Sequence, residues 1–245
     1  MPTRPNLLFI FTDEQRADTL ECYGNTVVQA PNLNALARRS FVFERPYVTQ
    51  PVCTPARSSI MTGLYPHTNG CTENSIPLKP ETMTIAEMVS PDYRCGYYGK
   101  WHLGDEVMPQ HNFERWGSME DTYRMHFTQE MYLERFSDYY YYLLSHGYEP
   151  DEERRGALIF GRPMAAKLPM EHKKSIWLGR EVAGFIQDNA ERPFVLYVNF
   201  LDPHEYGETP DDLYSRDNLA TGPAFLKKPP ENASSLHRAR AEHYA

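Results

Sequence analysis

The apolar positions of this chain fall into two patterns. Asn6-Leu7-Leu8-Phe9-Ile10-Phe11-Thr12 and Phe194-Val195-Leu196-Tyr197-Val198-Asn199-Phe200 are continuous apolar runs of strand length, and residues 93–99, though less apolar, also read as a strand. Such runs belong to strands buried on both faces, as in the sheets of α/β proteins. Between them the spacing becomes helical. Leu33, Leu36 and Ala37 share one helical face, as do Leu178, Val182, Phe185 and Ile186 within residues 171–189, so both groups are assigned to the core. Thr84-Ile85-Ala86-Glu87 reads as a capping box that opens a further helix. Phe41-Val42-Phe43 predicts a short strand.

Each apolar run gives way to polar residues at its carboxyl end, which is where open α/β sheets place their ligands. The first run ends in Asp13-Glu14-Gln15-Arg16, the segment at 93–99 in Lys100-Trp101-His102, and the last in Leu201-Asp202-Pro203-His204-Glu205. A polar turn after a strand explains one acidic residue by itself, and Asp202 reads as a turn-former before Pro203. Lys100 and His102, two apart on an extended segment, project to the same side. Residues 51–63 read as a loop that delivers Cys53 to a short helix, with Thr54 as N-cap, Pro55 at the first helical position and Gly63 as the stop. Cys53 then faces free N–H groups and the positive end of the helix dipole, a place for an anion. Arg57, one turn on, reaches back towards it. The plainer alternative is a buried structural cysteine beside a surface arginine.

Charge narrows the choice. A net charge of −8 argues against nonspecific nucleic-acid binding, so an anionic substrate has to be met by a local cluster of cations. The four cysteines form no C-x-x-C pair and suggest no disulfide framework. No stretch is apolar for long enough to cross a membrane. The first residues lack the apolar region of a signal peptide, which predicts a cytoplasmic location if Met1 is the native start. With 245 residues the chain is long enough for one substantial domain. Residues 105–169 are rich in tyrosine, including Tyr139 to Tyr142; they read as a helical insertion with aromatic packing or as a wall facing a substrate, with packing favoured for most of the rings. Asn232-Ala233-Ser234 matches a glycosylation acceptor, and a helix is expected to begin near Ser234.

Three blocks carry a family resemblance: Arg4-Pro5-Asn6 ahead of an apolar strand and an acidic pair, Cys53-x-Pro55-x-Arg57 followed by Thr62-Gly63, and Gly99-Lys100-Trp101-His102-Leu103-Gly104. Together they resemble the type I, formylglycine-dependent sulfatases of the alkaline-phosphatase-like superfamily. The resemblance implies an α/β fold with an alkaline-phosphatase-like mixed sheet flanked by helices on both faces. It implies that residues 1–245 are the N-terminal portion of a catalytic domain, with 105–170 a substrate-facing insertion and the C-terminal part, with its further metal ligands, absent.

The same resemblance implies that a maturation enzyme oxidises Cys53 to formylglycine, whose hydrate attacks the sulfur of a small-molecule or saccharide sulfate ester. It implies a Ca²⁺ cofactor, with Mg²⁺ or Mn²⁺ as alternatives, held by Asp13, by the modified Cys53, and by Glu14, which stands where many members have a second aspartate. Gln15 is the weaker candidate beside Glu14. Arg57 and Lys100 are implied to stabilise the sulfuryl charge, His102 to act as the base that releases sulfate, and His204 to assist at the leaving oxygen. Neither nucleic acid nor membrane is implied as a partner. The rival readings are a phosphonate monoester or phosphodiester hydrolase of the same superfamily, and an inactive fragment that acts only as a binding module.

Overall fold

The computed structural model describes residues 4–154, 156–161, 164 and 167–204. The chain divides into two compact units, one built on residues 1–14 and 47–207, the other on 15–46 and 208–245. The strands of the first unit are β1 (Leu7–Thr12), β2 (Arg94–Gly99), β3 (Arg115–Ser118), β4 (Glu152–Arg154), β5 (Ala157–Ile159) and β6 (Phe194–Phe200). Its helices are α2 (Cys53–Thr62), α3 (Pro66–Asn69), α4 (Ile85–Met88), α5 (Asp138–Ser145) and α6 (Lys174–Asp188), while α1 (Pro31–Ala37) lies in the second unit.

Four strands form a parallel sheet in the order β1-β6-β2-β3, and β4 and β5 pair as a separate antiparallel hairpin. No antiparallel strand joins the main sheet among the described residues. The register aligns Phe9, Tyr197, Tyr97 and Trp116 in one row across all four strands. Their rings stack at 5.3, 5.7 and 4.7 Å between successive centroids. This row, with Met61 of α2, Ala86 of α4, Trp101, Leu103 and Phe113, makes the core on one face. Because side chains alternate along a strand, Phe194, Leu196 and Val198 point to the other face. There they meet Trp177, Leu178 and Phe185 of α6 and Tyr139 and Leu143 of α5. Helices thus cover both faces, as expected.

The covering is uneven. β6 is buried almost throughout, but in β1 Leu8 and Ile10 are exposed, so burial on both faces holds for the central strand and fails for the edge. The capping box at Thr84 forms as expected: the Thr84 N–H donates to Glu87 Oε2 at 2.7 Å, and α4 follows. Two expectations fail in the second unit. Leu33 and Leu36 on α1 are exposed rather than core. Phe41 and Phe43 belong to no strand; 82% and 66% exposed, they have no pairing edge there and pack edge-on against each other at 4.9 Å. Residues 105–169, expected to be helical, contribute β3 to the sheet and the β4–β5 hairpin as well as α5. Glu205, the motif at Asn232 and the helix expected from Ser234 lie outside the described residues. Among the described residues no helix is long and apolar enough to cross a membrane.

Candidate active site

The ends of β1, β2 and β6 and the start of α2 deliver the polar residues of the first unit to one place. Where β2 ends, Gly99 has φ +110°, and a Cβ there would lie 1.9 Å from the Asn199 carbonyl oxygen of β6. Only glycine permits this contact, and it lets the Lys100 N–H donate to that same oxygen at 3.1 Å. The Lys100 carbonyl in turn accepts from Tyr97 Oη at 2.6 Å, Arg57 Nη1 at 2.9 Å and Asn199 Nδ2 at 3.1 Å. Three strand and helix residues thus fix one backbone position, and its side chain follows.

Lys100 Nζ donates to Asp13 Oδ2 at 2.6 Å, and Arg57 Nη2 lies 3.1 Å from the same oxygen. All three side chains are buried, Lys100 completely. Burial alone would raise the Asp13 pKa; the Arg57 and Lys100 charges outweigh it and hold the carboxyl below its usual value. For Lys100, burial and Arg57 press downward, but Tyr123, Asp13 and Cys53 outweigh them, so the amine stays protonated. Two cations therefore face one carboxylate. Arg57 Nε is buried and has no hydrogen-bond partner among the described residues.

The start of α2 differs from expectation. Cys53, half-buried, is the first helical residue, Val52 is the N-cap, and Thr54 lies inside the helix. The Thr54 hydroxyl donates instead to the His102 carbonyl at 2.8 Å. The amides that follow Cys53 are not free for an anion: Thr54 N–H donates to Asn74 Oδ1 at 3.0 Å, Pro55 has none, and Ala56 N–H donates to the Val52 carbonyl at 2.9 Å. Positive charge at this place comes from Arg57 and Lys100. Gly63 ends the helix at φ +71°, as its position predicts.

His102 also departs from the extended geometry read from its spacing. Its φ is +54°, in the left-handed region, so strand alternation does not bring it to Lys100. Tyr123 does: its ring stacks on His102 at 4.0 Å between centroids, and Lys100 Nζ lies 5.2 Å from the same ring. Burial, then the Lys100 and Arg57 charges, push the His102 pKa down to about 3, so the imidazole is neutral. Neither ring nitrogen has a hydrogen-bond partner among the described residues.

Asp13, Cys53 and His204 place their ligand atoms within 4.8 Å of one another. His204 Nε2 is also 3.5 Å from Glu14 Oε1; the Glu14 side chain is 54% exposed and its backbone has φ +58°. Asp13, Cys53 and His204 are the described residues whose ligand atoms converge enough to hold a divalent cation, and Glu14 borders them through His204. Gln15 makes a side-chain bond to Thr19 Oγ1 at 3.4 Å. Asp202 and Pro203 form the turn expected of them.

The residue pattern did not point to Tyr97, Asn199 and Tyr123. One signal was present: Asn199 is a polar residue inside an otherwise apolar strand, and such a residue needs a buried partner.

Comparison with known proteins identifies the family of the chain. Residues 5–233 match the family described as Sulfatase. The chain is 41% identical over 103 residues to the ulvan-active sulfatase of Formosa agariphila, covering 42% of this chain and 20% of that protein. It is 32% identical over 114 residues to the N-acetylglucosamine-6-O-sulfatase of Bacteroides thetaiotaomicron, covering 46% and 20%. The fold is similar to that of the phosphonate monoester hydrolase of Agrobacterium radiobacter, with a TM-score of 0.63 at 21% identity over 91% of this chain and 46% of that one. These matches span less than half the length of each relative. With the family match running through nearly all of its length, the chain belongs to the sulfatase family.

Proposed function

We propose that the protein containing this chain hydrolyses sulfate monoesters, with a saccharide sulfate as the substrate class. One observation carries the reading: Arg57 and Lys100 are buried beside Cys53 against a single carboxylate, with Arg57 Nε unpaired among the described residues. Buried charge of one sign in excess calls for a ligand of the other, and a sulfate monoester supplies it. The names of the Bacteroides and Formosa relatives favour a sugar or polysaccharide ester.

In this reading Arg57 and Lys100 bind the sulfuryl oxygens and stabilise the charge that grows on them. Asp13 keeps both cations aimed at that point. His102, held neutral, accepts a proton, and an anion bound at Lys100 and Arg57 offsets the charges that depress its basicity. His204 stands beside the leaving oxygen. Asp13, Glu14 and Cys53 would hold a divalent cation, Ca²⁺ or else Mg²⁺ or Mn²⁺, which lowers the pKa of a coordinated oxygen nucleophile and neutralises sulfuryl charge. Cys53, oxidised to formylglycine by a maturation enzyme, would supply that nucleophile.

Trypsin releases residues 40–57 as one peptide, because Arg45 precedes a proline. After co-expression with a formylglycine-generating enzyme, mass spectrometry of this peptide is expected to show the aldehyde. Unmodified cysteine alone would refute the maturation. A panel of saccharide sulfates, aryl sulfates, phosphodiesters and phosphonate monoesters tests the substrate class. Preferential turnover of phosphonates would replace the sulfatase reading, for which the Agrobacterium likeness supplies the shared fold alone.

A further inference from the structure

The turn that carries Lys100 and His102 has no regular secondary structure of its own, yet both residues are held within the core. The side chain that holds it is Glu106. Its Oε2 accepts the Trp101 N–H at 2.9 Å, and its Oε1 accepts the His102 N–H. Its own carbonyl accepts from Trp116 Nε1 on β3 at 2.8 Å, so the turn is tied through Glu106 to the sheet. Glu106 is completely buried and makes no ion pair among the described residues.

We propose that Glu106 is a positioning residue of this site: its carboxylate fixes the backbone of Trp101 and His102, and thereby aims the His102 ring at the reacting groups. The proposal rests on the reading of Lys100 and His102 as residues that meet the sulfate ester. Three features support it. His102 occupies a left-handed conformation that a residue with a Cβ rarely adopts, and such a conformation persists only where the surroundings impose it. The clamp has two donors and needs two acceptor oxygens, which a carboxylate offers and no isosteric neutral side chain does. And a carboxyl group is placed where burial disfavours its charge. Burial pushes its pKa up to about 7 against the Trp101 and His102 N–H groups, with Glu120 pushing further up and Lys100 down. A role in packing alone is served better by an apolar residue.

The test uses Glu106→Gln in the full-length protein. The amide keeps the shape but sets an NH₂ group against one of the two N–H donors. The expected outcome is a kcat on a sulfate ester lower by about 100-fold, the cost of a misplaced catalytic group, with KM changed by less than about threefold. Diethyl pyrocarbonate, which acylates accessible neutral imidazoles, should leave His102 inert in the wild type and label it in the variant. His111, whose side chain is 4% exposed, stays inert in both and serves as the control. Wild-type kcat, or an inert His102 in the variant, overturns the proposal. Labelling of His111 together with His102 also overturns it, since Glu106 would then support the fold at large. If the variant does not fold, amide exchange in the wild type decides: the Trp101 and His102 amides should be as protected as those of β2, and exchange at loop rates overturns the clamp. Labelling and exchange need no substrate. Absence of sulfate ester turnover in the wild type would therefore refute the sulfatase reading while these two measurements still judge Glu106.

Discussion

Tyr97 and Tyr139 are both buried, both lie in aromatic clusters, and each donates its hydroxyl to a backbone carbonyl at 2.6 Å. They sit on opposite faces of the same sheet. The Tyr139 hydroxyl meets the His172 carbonyl, which precedes α6, so its bond ties one helix to another connection and goes no further. The Tyr97 hydroxyl meets the Lys100 carbonyl, which Arg57 and Asn199 also reach. One face uses its polar atoms to finish packing; the other uses them to set the direction of a lysine. The same residue type in the same degree of burial therefore tells nothing about function until the far end of its hydrogen bond is known.

The largest test of this contrast removes the carboxylate from the polar face. Asp13→Ala leaves Arg57 and Lys100 buried without a counter-charge, and breaking such a pair is expected to cost about 3–5 kcal/mol, read from urea unfolding. A loss below about 1 kcal/mol, the range of surface pairs, would mean the charges are not held as a unit. Next, Arg57→Ala and Lys100→Ala should each lower kcat on a sulfate ester by about 100- to 1,000-fold with the fold retained. Equal activity would remove both residues from the chemistry.

A smaller effect appears in the pH dependence of stability. The folded pKa of His102 lies at about 3, below the ordinary value of 6.5. A depressed histidine contributes stability that is present above 6.5 and is lost as pH falls towards 3, because the unfolded chain takes up the proton first. Between pH 7 and pH 5 this amounts to about 2 kcal/mol, a loss that His102→Gln should lack in parallel unfolding curves. Identical pH slopes would show that His102 titrates normally. Finally, Tyr97→Phe and Tyr139→Phe should each cost about 1 kcal/mol, yet only the first should slow turnover. Equal kcat in the two variants would dissolve the difference between the faces.

Much of the framework was legible because it depends on local pattern. The apolar run at residues 194–200 is buried up to Asn199, with Phe200 partly buried, Thr84 and Glu87 close their capping box, and Gly63 takes the left-handed stop. What escaped depends on partners distant in sequence. β3 is four residues long and reads Arg-Trp-Gly-Ser, so only its place beside β2 makes it a strand. Leu33 and Leu36 have helical spacing but remain exposed. Within the site, the motif residues were visible as types, while their geometry was not. His102 departs from the extended path through a carboxylate four residues on, and Thr54 serves the His102 carbonyl instead of its own helix end. Spacing rules assume regular backbone, and the turn after β2 is not regular.

The strand order has a consequence for how the chain is made. β6 lies between β1 and β2, so the strands that carry Asp13 and Lys100 are each bonded to residues 194–200 and not to each other. At about 5–20 residues per second, a ribosome needs roughly 5–20 s to go from Lys100 to Phe200. Throughout that interval β1 and β2 wait with unpaired edges, and the buried cations around Cys53 have no wall to be buried in. The pocket beside Cys53 is therefore closed last, when β6 inserts between β1 and β2 and gives Asp13 and Lys100 their common neighbour.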